Sequence, residues 1–63
     1  MFILWNDTDG IPAWPEPFKT RRDALNFARD FRARYAQQGY YLTADRERID
    51  PKDILLVPRP ADP

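Results

Sequence analysis

The sequence predicts an α+β fold: a small, mainly antiparallel sheet in the order ββαββ, with one long amphipathic helix packed on one face. Three observations predict it. Phe2–Trp5 and Ile54–Val57 are apolar runs of strand length. Asp9-Gly10, just after the first run, is a strong short-range signal for a hairpin turn. Ala24, Phe27, Ala28, Phe31 and Tyr35 then recur at the spacing of one helical face.

Taken in order, the first run reads as a buried strand. A two-residue Asp9-Gly10 turn would place Thr8 opposite Ile11, Asn6 opposite Ala13 and Trp5 opposite Trp14. Prolines at 12, 15 and 17 donate no backbone hydrogen bond, so the returning strand is short and lies at an edge. Thr20 is a suitable helix N-cap, and Asp23 three residues on resembles the acidic half of a capping box. Gly39 suits the left-handed residue that ends a helix, so the helix is expected over 21–38. Tyr40–Thr43 reads as a strand and Ala44–Arg48 as a polar turn. Asp50-Pro51-Lys52-Asp53 has the pattern of one capped helical turn, with proline at the first helical position. Ile54–Val57 reads as a central strand beside Phe2–Trp5. Residues 58–63, rich in proline, are expected to form a flexible tail. One domain over residues 1–57 follows. Arg59-Pro60-Ala61-Asp62-Pro63 loosely resembles a proline-rich peptide ligand, a pattern too short to carry weight.

Sixty-three residues lie near the lower limit for independent folding, where small domains use disulfides, metals or a partner as staples. With no cysteine and no histidine, disulfides and ordinary zinc sites are excluded. Nine aromatic side chains supply the apolar bulk instead: Phe2, Trp5, Trp14, Phe18, Phe27, Phe31, Tyr35, Tyr40 and Tyr41. No segment is apolar enough to span a bilayer. The first residues lack the basic start of a signal peptide, so the chain reads as cytoplasmic.

Serine is absent as well, which removes the usual nucleophile–base pairs, and an enzyme is not expected. Asp7 and Asp9 read as solvated turn aspartates. Asn6 to Gly10 has some likeness to a calcium loop. Placing Gly10 at the sixth position puts Trp5 where the first carboxylate must stand, so the match fails.

Charge is more informative. Ten basic and ten acidic residues cancel over the whole chain. Yet residues 19–34 hold six basic and two acidic residues, a balance of +4, and the rest carries −4. At about 100° per residue, Arg21, Arg22, Arg29 and Arg32 share one helix flank around Leu25 and Ala36. Asp23, Asp30 and Arg34 share the other, with Asp30 and Arg34 spaced for an ion pair. Arginines 21 and 22 in the first helical turn oppose the macrodipole, and with Lys19 they form a candidate anion-binding group.

The sheet supplies a second candidate. Phe2 and Leu4 alternate with Ile3 and Trp5, and Ile54 and Leu56 with Leu55 and Val57, so both faces are apolar. One helix covers one face; the other is expected to expose Trp5 and Trp14 unless Phe18 and the proline segments fold over it. The expected function is a non-catalytic protein–protein interaction module: a small adaptor, inhibitor or self-associating protein. It would act through the Trp5/Trp14 sheet face and the arginine flank, on a protein partner or as a homodimer. The alternative is a nucleic-acid-binding protein using Lys19, Arg21, Arg22, Arg29 and Arg32, with bases stacked on sheet aromatics. No cofactor, metal, membrane or small-molecule substrate is expected.

Overall fold

The computed structural model describes residues 1–61. It has the α+β architecture read from the sequence, with one strand more. The elements are β1 (Phe2–Asn6), β2 (Ile11–Pro12), α1 (Arg21–Gln38), β3 (Tyr41–Leu42), β4 (Arg48–Ile49) and β5 (Leu56–Pro60), with a 3-10 turn at Pro51–Asp53 before β5. Strands β2, β1 and β5 form an antiparallel sheet in that order, and β3 and β4 form a separate hairpin.

The central strand is β1, not the C-terminal one. It pairs with β5 along its whole length, from Phe2 opposite Pro60 to Asn6 opposite Leu56. Strand β5 therefore runs through Pro58–Pro60, which were expected to be a loose tail. Asp62 and Pro63, the end of that expected tail, lie outside the described residues. Prolines are tolerated in β5 because it is an edge strand whose outer side has no partner strand.

The hairpin register differs by two residues from the one read off Asp9-Gly10. Asn6 faces Ile11 and Trp5 faces Pro12, so the connection has four residues, Asp7–Gly10. Asn6 sets this wider turn. Its side-chain oxygen accepts the Asp9 N–H at 3.2 Å, its carbonyl accepts the Gly10 N–H at 2.8 Å, and Gly10 takes φ +71°. After Pro12 the chain bends away and returns at Phe18, which exchanges two backbone hydrogen bonds with Phe2.

Helix α1 spans the expected residues. The Thr20 hydroxyl accepts the Asp23 N–H at 3.1 Å, and Gly39 closes the helix at φ +93° with its N–H shared between Tyr35 and Ala36 carbonyls. Its buried contacts with the sheet are Ala24 and Ala28, small enough to bring the helix close to Leu4 and Leu56. Ile54 and Tyr41 complete the buried cluster, and Phe2, Phe18, Phe27, Phe31 and Tyr35 pack around it. Burying a side chain such as Leu4 stabilises by about 1.5–3 kcal/mol. A chain of aromatic contacts runs Trp14–Phe27–Phe31–Tyr35–Tyr41 with centroid spacings of 4.8–6.4 Å, the first three tilted and the last edge-to-face.

Segment Ala44–Arg48 is not a simple polar turn. Arg48 and Ile49 pair with Leu42 and Tyr41, and Arg46 at φ +65° makes the reversal. The Asp50 carboxylate caps the 3-10 turn by accepting the Lys52 N–H at 3.1 Å, as the Asp-Pro pattern implies.

Candidate interaction surface

The face of the sheet opposite α1 is built by strand alternation. In β1, Leu4 and Asn6 are buried toward the helix, so Ile3 and Trp5 point the other way. In the C-terminal segment Ile54 and Leu56 are buried, so Leu55, Val57 and Arg59 join them. The register sets Trp5 beside Val57 and Ile3 beside Arg59, with Pro12 on the other side of Trp5. None of Ile3, Trp5, Leu55 or Val57 packs against the buried core. Leu55 is 59% exposed and Val57 38%, while Ile3 and Trp5 are half-buried. The Arg59 guanidinium lies 5.8 Å from the Trp5 ring centroid and donates to both Asp7 carboxylate oxygens at 3.1 and 3.3 Å. The face is thus an aliphatic and indole surface with one neutralised ion pair on it.

Trp14 does not belong to this face. The strand stops at Pro12, so the alternation no longer directs it, and it packs 5.2 Å from Phe27 on the helix side. There it stays 44% exposed. The expected cross-strand Trp5–Trp14 pair is therefore absent. Phe18 also turns to Phe27, at 5.3 Å, so it does not cover the far face.

The arginine flank divides on inspection. Arg32 is structural: its Nε and Nη2 both donate to the Ile54 carbonyl, at 3.2 and 2.9 Å, tying α1 to the end of the 3-10 turn. Arg29 sits 4.0 Å from Asp30, in an exposed pair worth little. Asp30 therefore pairs with Arg29 and not with Arg34, which lies over the Phe27 ring at 5.8 Å. Lys19, Arg21 and Arg22 are exposed, and among the described residues no hydrogen bond or ion pair holds their side chains. Because α1 covers the near face, this group and the Trp5 face lie on opposite sides of the sheet.

A polar cluster went unread in the sequence. Tyr41 donates its hydroxyl hydrogen to Asp9, whose other carboxylate oxygen accepts the Ala44 N–H at 2.8 Å. The buried Asn6 amide donates to the Tyr41 oxygen at 3.1 Å. Thr8 accepts the Leu55 N–H at 2.9 Å. Asp9 is thus engaged in tertiary contacts and half-buried, while Asp7 stays exposed and is held by Arg59. Burial, helped by the bond to Asp9 and opposed by the one from Asn6, pushes the Tyr41 phenol up to about 12. These contacts pin the hairpin turn against β3 and the start of β5, with the Asn6–Tyr41 bond buried and the bonds to Ala44 and Leu55 at the surface.

No protein-family model, characterised protein or solved structure matches the chain. Any functional reading therefore stands on these surfaces alone. Among the described residues no helix is long and apolar enough to cross a membrane.

Proposed function

We propose that this chain is a non-catalytic protein–protein interaction module whose main contact is the sheet face of Ile3, Trp5, Leu55 and Val57. The observation that supports it is that face itself. Four apolar side chains adjoin on the face opposite α1, and none of them packs against the buried core. A monomer gains nothing by presenting such a patch to water, whereas a partner that covers it removes apolar area from solvent. Exposed Lys19, Arg21 and Arg22, with Arg29, supply a second, polar contact on the helix side.

The nucleic-acid reading draws support only from that second group. With Arg32 bonded to the Ile54 carbonyl, the remaining flank would neutralise about three or four phosphates, giving a log–log salt slope of roughly −3.

Immobilised chain, presented to an extract of its own cells or to itself, should retain a protein partner. Trp5→Glu, verified as folded by circular dichroism, should lose that partner, because the new carboxylate would have to be desolvated in the contact. Equal retention by Trp5→Glu would rule the sheet face out. Binding of an oligonucleotide that falls steeply with salt, indifferent to Trp5→Glu and lost in Arg21→Glu/Arg22→Glu, would replace this reading with the nucleic-acid one.

A further inference from the structure

We propose that the occupant of the far sheet face is a second copy of this chain, packed face to face on Ile3, Trp5, Leu55 and Val57 about a two-fold axis. This rests on reading that face as a protein-contact surface.

The margins of the sheet disfavour sideways growth. Asp7 donates its N–H to the Leu55 carbonyl at 2.8 Å, and Ala61 donates to Met1 at 2.9 Å. Residues 55, 57, 59 and 61 therefore turn their backbone groups toward β1, and residues 56, 58 and 60 turn theirs outward. The outward positions include Pro58 and Pro60, which have no N–H to give. At the opposite margin Ala13 donates inward to Leu4 at 2.8 Å, so Pro12 is the residue turned outward. Both edges present proline where an added strand would need a donor. A partner meets this sheet on its face.

The chemistry of the face then selects the partner. Arg59 is its one cation, and Asp7 neutralises it at 3.1 Å. A phosphate backbone or an acidic peptide would find no net charge there to bind. An apolar, neutral sheet face is the matching surface, since sheets stack about 10 Å apart with strands rotated by about 30°. The same patch on a second copy supplies it, and an isologous contact closes at two subunits. Size sets the strength. Five residues at about 3.4 Å along the two full strands β1 and β5, set about 4.8 Å apart, with only Pro12 added from β2, give a patch of roughly 17 by 10 Å. That is well short of the ~800 Å² per partner of a stable interface. The dimer is therefore weak and reversible.

Sedimentation equilibrium of the full chain, from about 10 μM to about 1 mM, spans the range of such contacts. The average mass should climb from 7.5 kDa toward twice that value. Val57→Glu should weaken association at least about tenfold, as expected for desolvating a carboxylate. Gln37→Glu, which adds the same side chain to an exposed position of the helix, should not. If Val57→Glu fails to fold by circular dichroism, Leu55→Glu at the most exposed of the four positions takes its place. A mass that stays at 7.5 kDa at about 1 mM, or a dimer that persists in the folded face variant, overturns the proposal. A strict monomer that still captures a different protein through Trp5 would overturn the second copy while leaving the interaction reading in place.

Discussion

At the scale of single residues, Tyr41 joins groups that sequence distance separates: Asn6 lies 35 positions away and Asp9 lies 32. Its hydroxyl accepts from the buried Asn6 amide and donates to Asp9, so both partners are satisfied at once. Removing it in Tyr41→Phe leaves the Asn6 amide buried without an acceptor. The expected cost is about 1–3 kcal/mol in urea unfolding. The phenol also links stability to pH. Its folded pKa, about 12, lies above the ordinary value of 10.0, so the folded state holds the proton more tightly. That contribution is complete below pH 10 and is lost as pH rises through about 12. Wild type should therefore lose stability across that interval more steeply than Tyr41→Phe, measured by denaturant midpoints at fixed ionic strength. Equal slopes would show that the phenol ionises as freely folded as unfolded.

At the scale of elements, the helix is held at its start by Thr20, at its end by Gly39, and at its middle by Arg32. The last of these was read from the helical wheel as part of a binding flank. In the fold its guanidinium closes two hydrogen bonds on the Ile54 carbonyl and so positions the 3-10 turn that delivers β5. Charge reversal therefore separates two arginines that look equivalent in sequence. Arg32→Glu should destabilise by about 1.5–3 kcal/mol, the range for a hydrogen bond to a charged group, because it also sets a carboxylate against a carbonyl. Arg29→Glu, exposed beside Asp30, should change the unfolding midpoint little. Similar losses in both variants would show that Arg32 is not the clamp.

At the scale of the whole molecule, the helix covers one side of a three-stranded sheet and leaves the other apolar. Without cysteine or histidine to staple it, a chain of this size has little stability to spare, and association that buries the free face adds to it by mass action. The thermal midpoint should accordingly rise with protein concentration in wild type and stay constant in Val57→Glu. A midpoint independent of concentration in both would mean that the face is left in water at the concentrations tested.

The α+β class, the helix with both caps, the Asp50-Pro51 turn and the existence of an uncovered apolar sheet face were all legible in the sequence, because each rests on spacing within one segment. Thr20, Asp23 and Gly39 act on backbone groups within a few residues, and the alternation of Ile3 and Trp5 with Phe2 and Leu4 needs only the pleat of a strand. Most of what was misread depends on partners distant in sequence; the pairing of Asp30 with its neighbour Arg29 is the local exception. The hairpin register shifted because Asn6 and the contacts of Asp9 with Tyr41 and Ala44 outweighed a local Asp-Gly preference. The apparent tail became strand because β1 accepts the 57–61 segment on one side only, where its prolines do no harm. Arg32 left the binding flank because the chain returned the Ile54 carbonyl to it 22 residues later. Trp14 left the sheet face because β2 ended two residues before it. Only tertiary structure could decide which apolar residues share the free face, since that face is assembled from both ends of the chain.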